Sequence, residues 1–79
     1  MSKVTWDVDL FAKSEGRLLR RARHHRGWSQ RKLADAVGIN QGTLSLIENG
    51  KKVPNLMLWA ALYEALGYII IRKPKEEKP

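Results

Sequence analysis

The sequence predicts an all-α fold of four short helices with a short C-terminal β-strand. Apolar residues recur at helical spacing in four stretches, and each stretch closes on a glycine or an Asn-Gly pair. A β-branched run, Tyr68-Ile69-Ile70-Ile71-Arg72, comes only at the end and is too short for a helix. The first helical pattern runs from about Ser14 to Arg26, with Leu18, Leu19 and Ala22 as its inward stripe, and Gly27 ends it. Ser29 caps the second, Gln30–Val37, whose apolar positions are Leu33, Ala34 and Val37; Gly38 stops it. Asn40 caps the third, Gln41 to about Glu48, with Leu44 and Ile47 inward, and Asn49-Gly50 closes it. After the connector Lys51-Lys52-Val53-Pro54, Asn55 caps a fourth helix, Leu56–Leu66, which stops at Gly67. Trp28, Trp59, Leu62 and Leu66 are assigned to the core. In the N-terminal segment Val4, Trp6, Val8 and Leu10 alternate with polar residues, a strand period, while Asp7–Ala12 could equally extend the first helix.

At 79 residues and 9.1 kDa the chain is one small domain with a thin core, so a partner subunit would help to bury apolar surface. It has no cysteine, which excludes disulfides, thiolate metal sites and cysteine catalysis. The longest apolar runs, Leu56–Leu62 and Tyr68–Ile71, fall far short of the ~20 residues that span a bilayer. The start of the chain lacks the basic and apolar regions of a signal peptide, so the expected location is cytoplasmic. Net charge is +7, and residues 13–32 alone hold eight basic side chains against the single acid Glu15. Charge so concentrated favours a polyanion, and the apolar face opposite it is too narrow for a membrane-surface helix.

The most specific signal lies between Gln30 and Asn49. Two short helices meet at a steep angle only where the residue at closest approach is small, and Ala34 stands there. The turn between them needs a residue that tolerates positive φ, and Gly38 supplies it. Leu33, Val37, Ile39, Leu44 and Ile47 fill the wedge. Together with the caps, this pattern identifies a DNA-binding helix-turn-helix. The expected division is an N-terminal arm at 1–13, the helix-turn-helix domain at 14–67, a dimerising strand at 68–73 and a flexible basic tail at 74–79.

The runs Trp28-Ser29-Gln30-Arg31-Lys32-Leu33-Ala34, Val37-Gly38-Ile39 and Leu44-Ser45-Leu46-Ile47-Glu48-Asn49-Gly50-Lys51 resemble the phage-repressor and Cro type of helix-turn-helix, the XRE family. The resemblance covers about Glu15 to Gly67. It implies a compact four- or five-helix lambda-repressor-like bundle that binds double-stranded DNA as a homodimer. By motif position it puts Gln41, Gly42, Thr43, Ser45 and Leu46 at the base edges. Gln30, Asn49 and Lys51 would contact phosphates, with Ser29, Arg31, Asn40 and Lys52 beside them. It also implies an ion pair between Arg23 and Glu48. Gln41 is the best base reader, because an amide both donates and accepts and so matches adenine N6 and N7. Gly42 and Leu46 stand where family members often carry longer polar residues; Thr43 and Leu46 could instead touch thymine methyls.

Met57, Leu58 and Ala61 fall toward the outside of the fourth helix and, with Tyr68, Ile69, Ile70 and Ile71, make the expected dimer interface. The strand would pair with its two-fold mate or with Val4–Val8, since an unpaired strand leaves backbone groups unmatched. Some antitoxins of toxin–antitoxin modules resemble this layout, which adds a cognate toxin to the expected partners. His24 and His25 point in different directions on one helix and build no metal site. No catalytic constellation, metal or cofactor is expected. The reading is a sequence-specific regulator that inserts its third helix into the major groove of an inverted-repeat operator, most simply as a repressor. An autoregulating antitoxin, a controller of restriction–modification genes and a protein-binding adaptor without DNA function are its alternatives.

Overall fold

The computed structural model describes residues 7–69. Over that span the chain is all-α: α1 is Val8–Arg26, α2 Gln30–Val37, α3 Gln41–Glu48 and α4 Leu56–Ala65. Every helix begins on a side chain that accepts an otherwise unmatched amide. Asp7 takes Leu10 N–H at 3.0 Å, Ser29 takes Lys32 N–H at 3.0 Å and Asn55 takes Leu58 N–H at 2.8 Å. Asn40 Oδ1 serves two, Gly42 N–H at 2.6 Å and Thr43 N–H at 3.4 Å. Such caps contribute about 1 kcal/mol each. Gly38 ends α2 at φ 78°, in the left-handed region where a β-carbon is strained, and so turns the chain sharply into α3.

Leu19, Leu33, Leu44, Ile47 and Leu62 are fully buried, and Ala22, Ala34 and Leu66 complete the cluster. Trp28, Val37, Ile39, Leu58, Trp59 and Tyr63 pack around it, half-buried. α3 sits against both α1 and α2, and α4 closes over α2. Ala34, 1% exposed, is buried in the same cluster as Leu33, Leu44 and Ile47.

Two features differ from the sequence expectation, and one open alternative is settled. α1 starts at Val8, six residues before Ser14, so Asp7–Ala12 extends the helix and the expected arm is helical over its second half. The Asp7 cap and the burial of Ala12 against the rest of the fold outweigh the local strand-like alternation. Leu18 does not join the inward stripe: it is 48% exposed, because the buried seam of α1 runs through Ala12, Gly16, Leu19, Ala22 and Arg23, and Leu18 lies one residue (about 100°) to its side. The expected C-terminal strand is not seen at Tyr68 and Ile69. Tyr68 N–H donates to Tyr63 O at 2.9 Å, which folds this residue back on α4, and the Tyr68 ring packs edge-on to Tyr63 at 5.7 Å. Ile70, Ile71 and Arg72 lie outside the described residues, as do Val4–Trp6 and the basic tail.

Candidate nucleic-acid interface

The third helix divides lengthwise. Leu44, Ile47 and Glu48 are buried, Thr43 and Ser45 are half-buried, and Gln41, Gly42 and Leu46 are exposed. Its outer edge is therefore open to a ligand along most of its length. An added β-carbon on Gly42 would lie 2.9 Å from the capping oxygen of Asn40, the end of an exposed side chain that can shift. Asn40 itself is committed to that cap, and Ser29 to the equivalent one on α2. Arg31, Lys51 and Lys52 are exposed.

What braces the helix is a polar knot at its C-terminal end. Arg23 lies against Glu48 in a two-pronged contact, Nε to Oε2 at 2.7 Å and a terminal nitrogen to Oε1 at 2.9 Å. Its other terminal nitrogen donates to Trp28 O at 2.9 Å, which ties the α1–α2 turn into the same knot. Gln30 Nε2 also donates to Glu48 Oε1, at 3.0 Å, and Arg20 approaches it at 3.5 Å. Burial would push the Glu48 carboxyl up, but the bonds from Arg23 and Gln30, the Arg23 charge and the Arg20 bond outweigh it. They hold the carboxyl below its ordinary value of 4.5. Among the described residues every buried side-chain nitrogen and oxygen is hydrogen-bonded.

Two of the proposed phosphate contacts thus carry internal work as well. Gln30 points one amide hydrogen inward to Glu48. Asn49 donates to Ser45 O at 2.9 Å and accepts from Arg20 at 2.9 Å. Arg20 was missed by sequence reasoning as a structural residue, although it stands three residues before Arg23 and so shares its helix face. Gly16 was missed too. A β-carbon there would fall 2.5 Å from the carbonyl oxygens of Ile47 and Glu48, so α1 and the last turn of α3 meet backbone to backbone. The small residues at Ala12 and Gly16, on the seam with Arg23, were the available signal.

Of the expected interface on α4, Met57 is 78% exposed whereas Leu58 and Ala61 are half-buried, Leu58 against the core. Ile69 is 82% exposed. His24 and His25 are exposed, and among the described residues no three His, Cys, Asp or Glu side chains cluster as a metal site. No helix among them is long and apolar enough to cross a membrane.

Comparison with known proteins agrees with this geometry. The helix-turn-helix domain family model matches residues 16–68. No curated protein matches the chain. The crystal structure of the clp gene regulator ClgR from C. glutamicum is similar, with 34% sequence identity and a TM-score of 0.72 over 75% of this chain and 76% of that one. The matched segment contains the capped α2–turn–α3 unit, and this chain belongs to the helix-turn-helix domain family.

Proposed function

We propose that the protein is a dimeric, sequence-specific DNA-binding transcription regulator, acting as a repressor by occluding a promoter. The observation that carries the reading is the exposed edge of α3, which starts at Gln41 beside the Asn40 cap and is held outward by the buried Leu44, Ile47 and Glu48. In this role α3 enters the major groove with Gln41 against adenine and with Thr43 and Leu46 against thymine methyls; Gly42 permits close approach, and Ser45 lies beside them. Ser29, Gln30, Arg31, Asn40, Asn49, Lys51 and Lys52 line the phosphates on either side. The basic balance of the chain supports a polyanionic ligand, and the similarity to a gene regulator supports a regulatory outcome. A helix-turn-helix is a binding module, and the chain acts without enzymatic chemistry or cofactor.

Two copies are placed on the two halves of an inverted repeat, about 34 Å apart. The exposed Met57, Tyr68 and Ile69 support an interface on the α4 side, to which the half-buried Leu58 and Ala61 would add; the expected Ile70 and Ile71 lie outside the described residues. Selection of bound duplexes from a random pool, followed by sequencing, tests the reading. A palindromic motif is the expected result, and Gln41→Ala should relax one position per half-site at about 1–3 kcal/mol. Enrichment of no sequence would overturn it in favour of a protein-binding adaptor.

A further inference from the structure

Because Gly16 lets α1 touch the end of α3, the N-terminal half of α1 runs on past the α3–α4 turn. Lys13 crosses directly over that turn: a β-carbon on Gly50 would lie 2.7 Å from Lys13 Cα. Lys13, Arg17 and Arg20 follow one another at four- and three-residue spacing on this side of the helix. With Glu48 and Asn49 they line an open groove of about 240 Å³. The one carboxylate there, Glu48, is already neutralised by Arg23. Three of the carbonyls at the end of α3, which would repel an anion, are hydrogen-bonded: Ser45 O to Asn49, Leu46 O to Lys51 N–H and Ile47 O to Gly50 N–H. Arg20 is anchored on Asn49, whereas among the described residues Lys13 and Arg17 have no acidic partner. The groove is therefore cationic, with two side chains uncommitted. Residues 8–15 of α1 lie before the matched helix-turn-helix segment, so Lys13 is an addition to that domain.

We propose that this groove is a phosphate-binding seat, in which Lys13 and Arg17 clamp a backbone phosphate of the DNA strand that passes the C-terminal end of α3. It rests on the DNA-binding reading above and deepens it, by adding a contact from α1 to those of α2, α3 and the following turn. Arg20 is a positioning residue here, since it orients the Asn49 amide at the edge of the groove.

The test measures affinity against salt concentration on a selected duplex for the full chain, Arg17→Ala, Lys13→Ala/Arg17→Ala and Arg21→Ala. All three altered side chains are exposed, and Arg21 removes the same charge from α1 but lines a different groove, beside Tyr63 and Tyr68. Each phosphate contact contributes about 0.9 to the slope of log K on log salt. The expected result is a slope shallower by up to about one unit for Arg17→Ala and by about one unit for the double variant, with little change for Arg21→Ala and an unaltered base preference throughout. Ethylation of one backbone phosphate beside the half-site should block the unsubstituted chain and cease to matter for the double variant. Equal slope changes for Arg17→Ala and Arg21→Ala would mean a diffuse field and overturn the seat alone. A full chain that binds no duplex overturns the DNA reading, and the seat falls with it.

Discussion

Replacing Arg23 by alanine isolates the interaction that holds the outer helix in place. The Arg23 side chain is 7% exposed and that of Glu48 is 0% exposed, so the substitution leaves a carboxylate inside the protein without its principal partner. Breaking a buried pair in this way costs about 3–5 kcal/mol. Gln30 at 3.0 Å and Arg20 at 3.5 Å remain as weaker partners, which puts the expected loss toward the lower figure. Trp28 O also loses its donor. A chain of this length has a total stability of roughly 4–12 kcal/mol. A 3 kcal/mol loss would therefore lower the melting temperature by at least about 12 °C. Urea unfolding followed by tryptophan fluorescence measures it. Replacing both partners by apolar residues, Arg23→Met with Glu48→Leu, should recover most of the loss, because no charge is then stranded. Acid supplies an independent check. The folded pKa of Glu48 lies below the ordinary 4.5, so the stability it contributes is complete above that pH and is lost as pH falls through the folded value. Arg23→Ala lacks most of that contribution, and its deficit relative to the unsubstituted protein should shrink below about pH 4.5. A deficit under 1 kcal/mol at neutral pH, or one that grows in acid, would refute the reasoning.

Gly16→Ala should destabilise the fold by about 1–3 kcal/mol in urea, although alanine is the better helix former by about 1 kcal/mol, because its methyl meets two backbone carbonyls. Asn40→Ala removes the cap of α3 and should cost about 1 kcal/mol in the same measurement while weakening duplex binding on every sequence. Met57→Asp and Ile69→Asp, both at strongly exposed positions, should leave the melting temperature of dilute monomer unchanged and shift sedimentation toward the monomer; a dimer of unaltered strength would remove α4 and its C-terminal flank from the interface.

The parts of the fold that could be read from the sequence are those set by neighbours in the chain. Ser29, Asn40 and Asn55 cap helices through amides two or three residues away, and Gly38 needs only its own φ. The wedge residues Leu33, Ala34, Leu44 and Ile47 follow from helical period alone. What was not legible depends on distant segments. Whether Leu18 or Leu19 turns inward is decided by where α3 crosses α1, a contact some 30 residues away in sequence that hinges on Gly16. For the same reason the inward turn of Gln30 and the bridge from Arg20 to Asn49 were invisible: each needs α1, α2 and the end of α3 assembled first. The start of α1 was ambiguous because Val8 and Leu10 satisfy a strand period while Asp7 satisfies a cap, and only tertiary packing of Ala12 separates the two.

The lengthwise division of α3 has an evolutionary corollary. Positions that anchor the rod, Leu44, Ile47 and Glu48, are distinct from those that face outward, Gln41, Gly42 and Leu46. Under the proposed function, substitutions at the exposed Gln41 and Leu46 should cost folding little, so new target preferences would be reachable by single steps.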